Sequence, residues 1–214
     1  EYVLAAGDAP KRLVDMTCAD FADETASESP APGGGSISAY LGALGAALAA
    51  MVANLSSHKA GWDDRWQEFS DQAVKAQRIK DELLALVDED TDSFNRVMAA
   101  FGLPKNTPEE KAARSAAIQE ATKYATEVPI RTMRRTFDAF EVIRYVAEHG
   151  NPNSVTDAGV GALGREDGGH QQLVGRLVVE LATRLGILLG QAHEGLTGAA
   201  FGGSGTGHGV RGYR

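Results

Sequence analysis

Asp90 is the residue in this 214-residue chain whose surroundings point most directly to chemistry. At 100° per residue, Leu83, Val87, Phe94 and Val97 all fall within about 60° of it on a helix. Asp88 and Asp92 fall on the opposite side, where a carboxylate stays hydrated. A carboxylate on an apolar stripe loses water, and its proton affinity rises unless a cation pairs with it. Two roles fit: a buried aspartate satisfied by a lysine, an arginine or a backbone donor, or a general acid/base tuned toward neutral pH. Gly33-Gly34-Gly35-Ser36 is the second feature, because it opens directly onto an uncharged stretch ending at Ser57. Free N–H groups at such a helix start form a site for a carboxylate or phosphate. The same glycines would equally serve a tight, kinked connection. No Gly-Lys-Ser/Thr follows them, so they are not a P-loop, and no strand precedes them as a dinucleotide fingerprint requires.

Other charged residues carry weaker signals. Lys105, Lys111, Arg114 and Lys123 form a local basic set that suits an anion, but Glu109, Glu110 and Glu120 interleave with it and suit a solvated, paired helix face. Asp157 stands three residues after Ser154, the spacing of a capping box, which competes with a role in binding. His58, His149, His170, His193 and His208 are isolated, without an HExxH pair, so no metal site is expected. No nucleophile elbow is present.

Helical spacing dominates the elements that must position these groups. Residues 1–16 read as a loose linker from an upstream domain. Thr17 and Asp20 cap a short helix to about Ala26, and Pro30 and Pro32 then forbid helix until Gly33. The stretch Gly33–Ser57 is long enough to cross a bilayer. Its Ala/Gly composition, with Ser38, Tyr40 and Asn54, favours a buried helix approached closely at Gly42, Gly45 and Ala46. A long amphipathic helix follows from about Asp64 to Phe101, its stripe including Trp66, Phe69, Leu83, Val87, Phe94, Val97 and Phe101. Thr107-Pro108-Glu109-Glu110 starts another helix with a capping box. That helix should run to about Glu127 and kink or break at Pro129, and a further one should span Ile130–His149. The expected fold is an all-α bundle of long antiparallel helices over residues 17–193. Gln171–His193 would be its last helix, and 194–214 a Gly-rich disordered tail.

Composition narrows the function. The net charge of −8 argues against a nucleic-acid partner or an anionic membrane surface. Cys18 is the only cysteine, which excludes an internal disulfide and suits a reducing, cytoplasmic compartment.

Four ordered stretches resemble the formiminotetrahydrofolate cyclodeaminase family. These are Ser29-Pro30-Ala31-Pro32-Gly33-Gly34-Gly35-Ser36, then Leu86-Val87-Asp88-Glu89-Asp90 with Phe94, then Leu103 to Lys111, then Gly150-Asn151-Pro152-Asn153 with Asp157. The resemblance covers about residues 12–163. It implies an all-α domain that dimerises and binds folate near the dimer interface. It also implies ring closure of 5-formiminotetrahydrofolate to 5,10-methenyltetrahydrofolate with loss of ammonia, in histidine breakdown and one-carbon metabolism. The family also contains methenyltetrahydrofolate cyclohydrolases, and a non-catalytic helical dimerisation module is a third expectation. The family's catalytic aspartate falls on Asp90. Gly33, Gly34, Gly35, Ser36, Lys105 and Asp157 are the expected substrate-binding residues, toward folate and its polyglutamylated forms. No metal or redox cofactor is implied. In bifunctional members a glutamate formimidoyltransferase precedes this domain, and the Glu1-Tyr2 start is similar to that junction. After Leu163 the chain departs from the family: Gly164 to Gln171 stands where an Ala-Arg-Ser/Thr-Ala-Val type helix is usual. Codons for this octapeptide, read one base later, can encode a small-Arg-Thr-Ala-Val-Ile run. A frameshift or sequencing error near residue 164 is therefore expected, and resequencing the DNA tests it.

Overall fold

Thr17 accepts a hydrogen bond from the Asp20 N–H at 3.1 Å, and this cap starts α1, Cys18–Ala26. The structure, a computed structural model, describes residues 12–162. Four further helices follow: α2 Gly34–Ser57, α3 Trp66–Phe101, α4 Pro108–His149 and α5 Val155–Ala162. No strand occurs among the described residues, so the all-α expectation holds. The expected Gln171–His193 helix, the tail and the departure at residue 164 lie outside the described residues.

The core is built from the small residues of α2. Ala39, Ala43, Ala46, Ala49, Ala50 and Ala53 are buried against Leu83, Leu86 and Val87 of α3 and Val142, Ile143 and Val146 of α4. Small side chains let the backbones close in. A Cβ at Gly42 would lie 2.6 Å from Thr136 Oγ1, and one at Gly45 would lie 3.1 Å from the Gly161 carbonyl. α2 is long and apolar enough to cross a bilayer, and half of its apolar window is buried in this bundle. The turn between α2 and α3 places Gly61 at φ 81°, a left-handed conformation that favours glycine.

The capping box at Thr107 and Glu110 is formed, and α4 begins at Pro108 as its sequence requires. Pro129, however, neither breaks nor ends it: α4 runs unbroken to His149. An interior proline costs about 3 kcal/mol of helix stability. The offset is tertiary. Tyr124 and Arg131 lie on either side of Pro129, and both donate to the Glu89 carboxylate of α3. Burial raises the proton affinity of Glu89, but its hydrogen bonds from Arg131 and Tyr124 outweigh that and leave its pKa lowered. Val128 and Thr132, flanking the same proline, are buried.

Two other expectations change. Asp88 does face away from Asp90, yet its side chain keeps only 20% exposure, because residues 12–15 fold over it. Leu13 N–H donates to Asp88 at 2.6 Å, and the Arg12 guanidinium lies 3.3 Å away. The end of the expected linker is thus docked on α3. Trp66, Phe94 and Phe101, assigned to the buried stripe, are exposed.

Candidate active site

Asp90 and the glycine run meet although 54 residues separate them. α2 and α3 pack antiparallel, so the first turn of α2 lands beside the residue two-thirds of the way along α3. Gly33 is the N-cap, and Gly34, Gly35 and Ser36 follow as the first three helical residues. The Ser36 N–H donates to Asp90 Oδ2 at 3.0 Å, so a carboxyl on α3 caps the start of α2 from outside. The Ser36 hydroxyl lies 2.8 Å from the Val87 carbonyl, 3.2 Å from Asp90 Oδ2 and 3.4 Å from Thr91 Oγ1. The carboxyl sits directly on Gly35, where a Cβ would come within 2.2 Å of Oδ1. At Gly33 a Cβ would lie 4.0 Å from Oδ2, and at Gly34 it would meet nothing within 4 Å.

Asp90 is half-buried, and burial pushes its pKa up, with the two Ser36 hydrogen bonds opposing in part. No lysine or arginine pairs with it among the described residues. Neutral donors satisfy one side of the carboxyl, which removes the ion-pair role that the sequence left open.

The expected site residues therefore divide. Asp90, Gly33, Gly35 and Ser36 converge. Ser36 is wholly enclosed, at 0% exposure, and its donors turn toward Asp90 and Val87. Any molecule bound at this helix start would meet Ser36 only through Asp90. Gly34 is exposed at the same helix start. Lys105 is exposed in the loop after α3, roughly 16 Å along the helix from Asp90. Asp157 is on α5, which lies along the far half of α2. Asn151 N–H bonds Ser56 Oγ at 2.8 Å, and Gly161 abuts Gly45. Asp157 falls between those anchors, at least roughly 13 Å along α2 from Ser36. Ser154 belongs to a 3₁₀ turn, Pro152–Ser154, that runs into α5, and Asn151 rather than Ser154 supplies its side-chain cap. Arg114, from the basic set, donates to the Phe101 carbonyl and closes the C-terminus of α3.

Thr91 and the Val87 carbonyl were not foreseen. Both lie within a turn of Asp90, and only the packing of α2 against α3 gives them a partner. Beyond Asp90, α3 runs past the start of α2, so Phe94, Met98 and Phe101 stay 44%, 53% and 46% exposed. They form an apolar strip that leads from Asp90 toward the Lys105 loop.

Residues 17–173 match the sequence profile of the family described as Formiminotransferase-cyclodeaminase. The chain belongs to that family. The match extends ten residues past Leu163, where the sequence alone places the departure from the family. The chain is 43% identical over 147 residues to methenyltetrahydrofolate cyclohydrolase of Methylorubrum extorquens, covering 69% of this chain and 71% of that protein. It is 36% identical over 162 residues to formimidoyltransferase-cyclodeaminase of Gallus gallus, covering 76% of this chain but 30% of that longer protein. Its fold is similar to the crystal structure of formiminotetrahydrofolate cyclodeaminase from Thermotoga maritima, with a TM-score of 0.58 at 24% identity over 87% of this chain and 98% of that one. The names of these relatives thus carry two activities, cyclohydrolase and cyclodeaminase.

Proposed function

We propose that this chain closes 5-formiminotetrahydrofolate to 5,10-methenyltetrahydrofolate and releases ammonia, with Asp90 as the acid/base. The observation that carries this reading is the half-buried Asp90 carboxyl, fixed on one oxygen by neutral donors, in a chain of this family. The chemistry needs one group that works twice. The formimino group enters protonated, as its amidinium (–CH=NH2+); N10 of the folate attacks its carbon and loses a proton to the Asp90 carboxylate. The resulting tetrahedral carbon carries an amino group, and Asp90 returns the proton to that nitrogen. The C–N bond then breaks, ammonia leaves, and the methenyl cation remains. A carboxyl with a raised pKa suits both halves, a contribution of about 10²–10⁴ in rate. Only protons move and C–N bonds exchange, so the reaction calls for no redox cofactor and no metal. Cytoplasmic folate is the pool we assign to it. In this reading the substrate comes from a formimidoyltransferase, the other activity named in the longer relatives.

Cyclohydrolase action on the same scaffold, with water in place of the amine, is the second reading, favoured by the 43% identity to the Methylorubrum extorquens enzyme. One assay separates them. Ammonia release in step with methenyl absorbance supports deamination, whereas methenyl hydrolysis without ammonia from the formimino substrate supports the second reading.

The strip Phe94, Met98 and Phe101 gives the aminobenzoyl ring of folate a surface between Asp90 and Lys105, which would meet the glutamate tail. Lys105→Ala should therefore raise KM for polyglutamylated folate more than for monoglutamate, because its ammonium acts as a point charge for carboxylates. Equal change on both, measured by initial rates, would remove Lys105 from binding.

The domain also pairs, in this proposal, with a second copy. Leu41, Leu44, Met51 and Leu55 are exposed on one face of α2, and Leu48 fills the remaining place in a 3-4-3-4 stripe. That is the spacing of a helix–helix seam, and an uncharged stripe of this kind can pack against itself. Sedimentation should show a dimer that Leu44→Arg shifts to monomer; an unaltered mass would place the interface elsewhere.

A further inference from the structure

We propose that Ser36 is the positioning residue that fixes the proton of Asp90 on Oδ1, with its hydroxyl hydrogen alternating between the Val87 carbonyl and Asp90 Oδ2. This rests on the reading of Asp90 as the acid/base. The Ser36 N–H holds Oδ2 at 3.0 Å whatever the charge of the carboxyl. The hydroxyl has one hydrogen and three oxygens in reach; the two nearest are acceptors, Val87 O at 2.8 Å and Oδ2 at 3.2 Å, and Thr91 Oγ1, at 3.4 Å, can itself donate. An ionised carboxylate is the stronger acceptor and draws the hydrogen to Oδ2. A neutral carboxyl is not, and the hydrogen returns to the nearer carbonyl. Oδ2 accepts the N–H in both states, so the titrating proton belongs on Oδ1. Among the described residues Oδ1 accepts no hydrogen bond, and no buried side-chain oxygen there lacks a partner, so Oδ1 is the open side of the carboxyl. It lies over Gly35, beside the exposed Gly34. A hydrogen that moves as the charge moves lets Asp90 take and return a proton without shifting its own atoms.

Among the described residues no charged group competes for this control. α2 bears no charged side chain, and its Tyr40 packs toward Phe21, with ring centroids 5.2 Å apart. From α4, Tyr124 and Arg131 are engaged with Glu89, and Arg96 of α3 lies over the Tyr124 ring. From the N-terminal segment, Arg12 is engaged with Asp88, whereas Glu28 before α2 is exposed.

The test is Ser36→Ala, followed by the pH profile of kcat/KM and by carbon NMR titration of the Asp90 carboxyl. Losing a donor to the charged form disfavours that form, so both the NMR titration and the acidic limb should move up by about one pH unit. Ser36→Thr, which keeps the hydroxyl, should restore the wild-type position. A merely structural serine would lower melting temperature and rate while leaving both titrations in place, and that result overturns the inference. If the NMR titration moves and the kinetic limb does not, Asp90 is not the base and the functional reading fails instead. Should Ser36→Ala not fold, Ser36→Cys, whose thiol donates weakly, should shift both titrations in the same direction by less. An unmoved NMR titration there also overturns the proposal.

Discussion

Asp90→Asn should lower turnover by about 10²-fold or more while leaving folate affinity and the fold nearly unchanged. The amide is almost the size of the carboxyl, and its oxygen can still accept the Ser36 N–H at the start of α2. No cation faces Asp90 among the described residues, so the change strands no buried charge. The stability effect has a definite sign. Burial raises the folded pKa of Asp90 above its ordinary 3.8. In that window the folded state binds more protons than the unfolded one, so stability falls as pH climbs from about 3.8 to the raised value. Above that value the cost is fully present, and asparagine does not bear it. The variant should therefore melt no lower than the wild type at pH 7, with any gain shrinking toward acid pH. Thermal melts at several pH values together with ammonia-release assays check this. A marked fall in melting temperature with normal turnover would make Asp90 structural. A stable variant with full activity would place the chemistry on another residue.

How much of this was legible in the sequence depended on the range of the interaction. Asp90 stood out because helical periodicity is local: three of its stripe neighbours, Leu83, Val87 and Val97, are buried as the 100° rule requires. The caps at Thr17 and Thr107 were legible for the same reason, since each bond spans three residues. Pro129 predicts a break that does not occur, because the forces that keep α4 continuous through it come from Glu89, on another helix. Asp88 misled because its cover comes from Leu13, 75 residues away. The spacing of Phe94 and Phe101 is that of core residues. They are exposed because α2 starts too late to cover that end of α3, a fact about register between helices that periodicity does not carry. The candidate site divides on the same line. A glycine-rich helix start and a carboxylate on an apolar stripe were each visible, but their union, and the separation of Asp157 from it, arise only when α2 and α5 are laid on their neighbours.

The three glycines, equivalent in sequence, should give unequal results, and Gly35→Ala should be the severe one. A Cβ there would lie 2.2 Å from Asp90 Oδ1, 2.5 Å from Cγ and 2.6 Å from Oδ2. All three contacts are far inside van der Waals distance, and the atoms belong to a short side chain whose carboxyl is tied at Oδ2 to Ser36. To make space the carboxyl must swing away, which breaks its bond with the Ser36 N–H and leaves Oδ2 without its donors. Overpacking of this kind costs about 1–3 kcal/mol. Turnover should fall about as far as in Asp90→Asn, since the displaced carboxyl no longer meets the substrate. At Gly34 a Cβ meets nothing within 4 Å, so Gly34→Ala should hold or raise the melting temperature by the modest helix preference of alanine, about 0.5–1 kcal/mol. The decisive comparison joins Gly35→Ala to Asp90→Asn. If the glycine matters only because it makes room for Asp90, the double variant should turn over no more slowly than the worse single one, because the two changes remove the same function. Full additivity of the two losses would show that Gly35 serves the substrate directly, through backbone that a methyl group obstructs whether or not Asp90 is present.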